Sequence, residues 1–184
     1  MRFMQGLRVR IRAVLWWAKL QFFVNSKNVK FESRCSILKG ARVRATDGGS
    51  ANFGTGVSID RYADVTVKYG ELIVGPGTYI GQFSVICARK KIIIGKDCLI
   101  AEHVTIRDQD HRFGPGLLTK DAGFTSSPVE IGDNVWIGAK VTITKGVTIG
   151  DHSVIGANSV VTKKIPPKAI AVGSPAKVIR FRDV

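Results

Sequence analysis

The chain has 184 residues, enough for one substantial domain with a short appendage and too few for a string of them. Apolar residues make up 45% of it, which excludes a disordered chain, and 20 glycines are too many for an ordinary helical bundle. The net charge of +14 is uneven: residues 1–50 hold 11 Lys and Arg against 2 acids, a balance that attracts nucleic acid, anionic lipid or another polyanion.

At the amino terminus, Leu7, Ile11, Val14, Leu15, Ala18 and Phe22 fall on one helical stripe, with Arg8, Arg10, Arg12 and Lys19 mostly elsewhere. This spacing predicts an amphipathic helix over 4–24, within a basic cap of residues 1–30. Its apolar face can cover the open end of the domain that follows. Alternatively, Trp16, Trp17, Phe22 and Phe23 can insert at a membrane interface beside the arginines. The apolar run from Val14 to Val24 is broken by Lys19 and is too short to span a bilayer. No small-residue cleavage site clearly follows it, so the segment is expected to be retained. Cys35, Cys87 and Cys98 have no metal-ligand spacing, and their odd number argues for reduced thiols in the cytoplasm.

A six-residue period governs the rest. Ile131, Ile137, Ile143, Ile149, Ile155 and Val161 recur every sixth position, usually followed by glycine (Gly132, Gly138, Gly150, Gly156). Four residues after each aliphatic stands a small or β-branched one: Val135, Val141, Val147, Ser153, Ser159. The same frame runs through Phe53, Ile59 and Val65, through Val74, Ile80 and Ile86, and through Ile94, Ile100 and Ile106, with a faint trace at Ile37 and Val43. Such a period fits neither a helix nor simple strand alternation. It fits short strands joined by tight turns, three to a triangular coil, with the aliphatics stacked inside and the glycines at the corners. Residues 107–130 interrupt the frame, and a loop of that length inside a compact domain is normally functional.

From Ile131 the chain reads IGDNVWIGAKVTITKGVTIGDHSVIGANSVVTKKIPP and then AVGSPAKVIR. On these motifs it resembles the left-handed parallel β-helix, hexapeptide-repeat acetyltransferases. These include the galactoside, maltose, nodulation and xenobiotic enzymes and the capsule and lipopolysaccharide O-acetyltransferases. The resemblance spans roughly Phe53 to Arg180. It implies an all-β fold: a left-handed parallel β-helix over 31–165 behind the amino-terminal helix, an excursion loop at 107–130, and a cofactor-binding turn and tail at 166–184. The left hand comes from the resemblance, since parallel crossovers elsewhere are right-handed. A homotrimer is implied too, with acetyl-CoA as the donor lying between adjacent prisms and each site completed by a neighbour's loop.

Transfer to a hydroxyl needs a base near neutrality, and only three histidines exist. His111, in Asp-Gln-Asp-His-Arg-Phe at the start of the loop, matches the family's catalytic histidine. Asp108 or Asp110 is either an orienting carboxylate or a turn-forming acid. His103 and His152 read as outward surface residues of their repeats. Trp136 matches the tryptophan near the thioester, and Ala139 and Ala157 match positions where the main chain meets the pantetheine arm. Lys163, Lys177 and Arg180 match the phosphate-side cations. Gly173 and Pro175 match the turn beside the adenine, and Gln82 loosely matches an amide that holds the acceptor.

The expected activity is therefore acetyl transfer from acetyl-CoA to a hydroxyl of a sugar or glycan, without a metal. It is placed in the cytoplasm, at the inner membrane face if the helix inserts. Three alternatives stand beside it: acetylation of serine or of a nucleotide-sugar amine, a zinc site of the carbonic anhydrase type, and polyanion binding. The zinc site is disfavoured because the three histidines are scattered. Nucleic acid is not expected as a partner, since no recognition motif accompanies the charge.

Overall fold

A computed structural model of the chain describes residues 24–25, 27–116 and 118–183. Among these residues the structure is β throughout, wound into a three-faced prism. The first face stacks Val24–Asn25, Arg42–Thr46, Asp64–Lys68, Val85–Ala88, Thr105–Arg107, Thr142–Ile143 and Val160–Val161. The second stacks Val29–Phe31, Ser50–Phe53, Glu71–Val74, Lys91–Ile94, Val129–Ile131 and Thr148–Ile149. The third stacks Ser36–Ile37, Ser58–Ile59, Tyr79–Ile80, Leu99–Ile100, Trp136–Ile137, Val154–Ile155 and Ala169–Val172, and ends in the antiparallel strand Lys177–Phe181. Every other pairing on the three faces is parallel, as the six-residue period requires.

The aliphatic ladder is in register. Ile131 lies over Ile149, Ile137 over Ile155 and Ile143 over Val161, each pair one coil apart. Ile59, Ile80, Ile86, Ile100, Ile106, Ile137 and Ile143 are fully buried, each contributing about 1.5–3 kcal/mol of burial. The position four residues later also points inward, and its polar members bond across coils. Thr78 Oγ1 donates to Gly95 O at 2.8 Å, Ser84 Oγ to Ala101 O at 2.9 Å and Ser153 Oγ to Pro166 O at 2.9 Å. Cys35 and Cys98 play the same part, their thiols reaching the carbonyls of Gly54 and Gly132 at 3.1 Å. Burial pushes both thiols up, so these cysteines are structural hydroxyl analogues within the turn.

Glycine works differently from the expectation. The glycine after each aliphatic has an ordinary φ; it is small because the next coil's backbone presses on it. A Cβ on Gly138 would lie 2.7 Å from Ala157 N, and one on Gly75 would lie 2.5 Å from Gly95 C. The left-handed turn falls two residues later, on glycine at Gly40, Gly56, Gly77 and Gly146 but elsewhere on larger residues: Tyr62 at φ 60°, Phe83 at 58°, His103 at 57°, Asn134 at 52°, His152 at 61° and Asn158 at 59°. His103 and His152 are thus turn residues, of a type that tolerates this region better than most.

Several boundaries differ from those read in the sequence. The expected helix lies outside the described residues apart from its last position, Val24, which is a strand residue paired with Val43. With Val29–Phe31 also a strand, the prism begins ahead of residue 31, inside the segment assigned to the cap. Phe31 lies in the phase of Ile37 and stacks on Phe53 at 4.5 Å, so an aromatic substitutes for the aliphatic and hides the repeat. At the other end, residues 166–184 do not form a separate tail, because Ala169–Val172 and Lys177–Phe181 extend the third face.

The corners are unequal. From second to third face, and from third to first, the inward residue always advances by six, as in Phe53, Ile59, Val65 or Ile94, Ile100, Ile106. Only the corner from first to second face varies: Val43 to Phe53, Val65 to Val74, Ile86 to Ile94, then Ile106 to Ile131. The long excursion is the largest of a series of enlargements at this one corner. It leaves the prism after Arg107 and returns at Val129, slightly inside the expected 107–130.

Candidate active site

The excursion is built on an antiparallel hairpin in which Gln109–His111 pairs with Phe124–Ser126, His111 lying opposite Phe124. Its base is fixed by Asp108. Counting from Ile106, Asp108 falls in the inward phase and is fully buried. Its Oδ1 accepts from the Arg89 N–H at 2.8 Å, and its Oδ2 from the Lys90 and Lys91 N–H groups at 2.6 and 2.7 Å. Three donors satisfy the carboxylate and tie the loop to the corner of the preceding coil. Asp110 points the other way, to an ion pair with Lys145 on the following coil. Each acid named beside His111 is thus committed to anchoring the loop, and neither orients the imidazole.

His111 itself is exposed, its ring centroid 4.2 Å from that of Phe124 at a tilt of 39°. The Arg89 guanidinium lies 4.1 Å over the same Phe124 ring and 5.0 Å over Tyr69. Sequence reasoning passed over Arg89, Phe124 and Lys145. The inward phase of Asp108 was the available signal for the anchor, but nothing in the spacing joins Phe124 to His111 across the loop.

The remaining candidates lie elsewhere on the prism. Trp136 projects from the third face with 55% of its surface exposed, beside Leu99 on the neighbouring rung. Ala139 and Ala157 stack at the third-to-first corner, Asn158 N donating to Ala139 O at 2.9 Å. Gln82 stands at that corner two coils earlier, where His103 N donates to Gln82 O at 3.0 Å. The turn with Gly173 and Pro175 folds onto the same corner: Gly173 N donates to Ser159 Oγ at 3.0 Å, and Val160 N to Gly173 O at 3.0 Å. Lys177 and Arg180 are exposed on the last strand of the third face. Lys163 follows Val161 on the first-to-second corner, the corner of the loop.

One chain therefore gathers Ala139, Ala157, Gly173 and Pro175 along one edge, with Trp136, Lys177 and Arg180 on the adjoining face. His111 and Lys163 stand at the corner opposite that face. The three histidines occupy three different corners. Among the described residues no group of three His, Cys, Asp or Glu could hold a metal ion.

Residues 128–163 match the family model for the bacterial transferase hexapeptide (six repeats). The "Probable acetyltransferase Rv3034c" of Mycobacterium tuberculosis is 35% identical over 173 residues, 93% of this chain and 58% of its own length. The galactoside O-acetyltransferase of Escherichia coli is 44% identical over 117 residues, 63% of this chain and 57% of its own. The solved structure of a maltose O-acetyltransferase from Clostridium difficile is 30% identical, with a TM-score of 0.60 over 90% of this chain and 73% of that one. The chain belongs to the hexapeptide-repeat acetyltransferases. Its prism is the left-handed parallel β-helix of that family, although the chain spans just over half the length of the curated relatives it matches. Within one chain of this hexapeptide-repeat acetyltransferase, His111 therefore stands at the first-to-second corner and Trp136 on the third face.

Proposed function

We propose that the protein transfers an acetyl group from acetyl-CoA to a hydroxyl of a sugar or glycan, as a homotrimer, with His111 as the general base. The observation that carries this reading is the split between corners. An exposed histidine stands on an anchored loop at one corner, and a small-residue edge flanked by cations lies away from it. Docking the loop corner of one prism against the third face of the next would bring the two halves together. The galactoside and maltose specificities named for the relatives support a sugar as acceptor.

Acetyl-CoA fits the exposed edge. Ala139 is half-buried and Ala157 exposed, and neither puts a bulky side chain on this corner. Trp136 would lie near the thioester, and Gly173 and Pro175 near the adenine. Lys177 and Arg180, with Lys163 of an adjacent chain, would meet the phosphates. Gln82, farther down the same corner, would bind the acceptor. In the reaction the acceptor O–H proton passes to the His111 imidazole as the oxygen attacks the thioester carbonyl. The new C–O bond forms, the C–S bond breaks, and the CoA thiolate leaves and takes up a proton. Holding both substrates at one junction supplies much of the acceleration.

Calorimetric titration with acetyl-CoA tests the donor side without knowledge of the acceptor. The expected result is about one site per chain, weakened by Lys163→Ala, and a folded trimer that takes up no acetyl-CoA would overturn the reading. With maltose or a galactoside as acceptor, His111→Ala is expected to lower turnover roughly 10²–10⁴-fold while leaving acetyl-CoA affinity nearly intact. The basic amino-terminal segment is proposed to bring the enzyme to an anionic membrane surface in the cytoplasm.

A further inference from the structure

The hairpin does more than lift His111 off the prism. An exposed imidazole on an ordinary strand would sample several χ1 wells, and a base that does so spends only part of its time aimed at the acceptor. Here Phe124 faces His111 directly across the hairpin, with ring centroids 4.2 Å apart. Phe124 is in turn only half-buried and depends on a second contact, the Arg89 guanidinium 4.1 Å over its ring. Arg89 is set by the same main-chain corner that Asp108 grips, through the Arg89 N–H at 2.8 Å. It also rests on Tyr69, one coil further down, at 5.0 Å. Planar groups thus form a column, Tyr69, Arg89, Phe124, His111, that runs from the rigid prism to the end of the hairpin strand.

We infer that Phe124, held by Arg89, is the positioning residue for His111: its ring restricts the imidazole to one orientation, and the column transmits the rigidity of the prism to a side chain outside it. The inference rests on His111 being the base, but its geometric part can be tested without that assumption. The chain has three histidines, so their ring signals in a carbon-13-labelled protein are assignable by single substitution.

In the wild type, the His111 side-chain couplings should report a single χ1 rotamer, with ring protons displaced by the Phe124 ring current. Phe124→Leu should give averaged couplings and lose the displacement, while Phe124→Tyr should retain both. Couplings unchanged in Phe124→Leu would overturn the inference. In turnover with maltose, Phe124→Leu is expected to lower kcat by roughly 10–10²-fold with the KM for acetyl-CoA unchanged, and Phe124→Tyr to keep most of the rate. On a His111→Ala background Phe124→Leu should cost nothing more, whereas a merely structural role would add its own loss. A fully active His111→Ala would remove the base assignment and leave the rotamer result standing. An impaired His111→Ala beside a fully active Phe124→Leu would sink the positioning role alone.

Discussion

At the scale of single residues, the side chains that look catalytic divide into those that hold the frame and those left free to react. Asp108 and Asp110 closely precede His111, yet both spend their charge on fixing the loop, one to three backbone amides and one to Lys145. A comparable pairing sits on the third face, where the Tyr79 hydroxyl donates to Asp60 at 2.5 Å. That hydrogen bond holds the Asp60 carboxyl below the usual range and, with burial and the Asp60 charge, pushes the Tyr79 phenol up to about 12. A phenol whose folded value is raised contributes stability below its unfolded value of about 10 and loses it as pH rises through about 12. Absorbance titration should therefore find that one of the three tyrosines ionises late. Asp60→Asn should return it toward about 10, and a late step that survives this substitution would refute the pairing.

At the scale of the repeated element, the coil is a contact between backbones as much as a ladder of aliphatics. Gly138 shows why: a Cβ there meets Ala157 N at 2.7 Å and Ile155 O at 2.9 Å, atoms that cannot rotate away. Gly138→Ala should destabilise the protein by about 1–3 kcal/mol through overpacking, read as a lower denaturation midpoint. Because the displaced residue is Ala157, acetyl-CoA affinity should fall with it. Gly116, by contrast, has a positive φ of 74° and nothing within 4 Å of a Cβ, so Gly116→Ala carries only the backbone strain, about 1–2 kcal/mol. Equal acetyl-CoA affinities for the two variants would separate the Ala157 corner from the donor site.

At the scale of the whole molecule, the two halves of the proposed site lie on different sides of the prism, and this has a direct test. Mixed trimers of His111→Ala and Trp136→Ala chains, each expected to be impaired alone, should regain activity after co-refolding, because some interfaces pair an intact loop with an intact third face. Persistent inactivity in verified mixed trimers would mean that each site belongs to one chain. The coils from Phe53 onward were legible in the sequence because an inward Ile or Val at every sixth position has no other regular explanation. The earlier coils left only a faint trace at Ile37 and Val43, since Phe31 replaces the aliphatic there and the first-to-second corner stretches to ten residues between Val43 and Phe53. The residues of the proposed site were named one at a time through the family motifs. Their division between corners was not legible, because face assignment depends on counting through that irregular corner. The same corner has a consequence for how such proteins diversify. Two edges keep a fixed step of six residues, whereas the third already accommodates steps of six, eight, nine, ten and twenty-five residues without disturbing the ladder. It is a docking port in the architecture, where a foreign loop could be grafted while the small-residue edge of Ala139 and Ala157, on another corner, stays as it is.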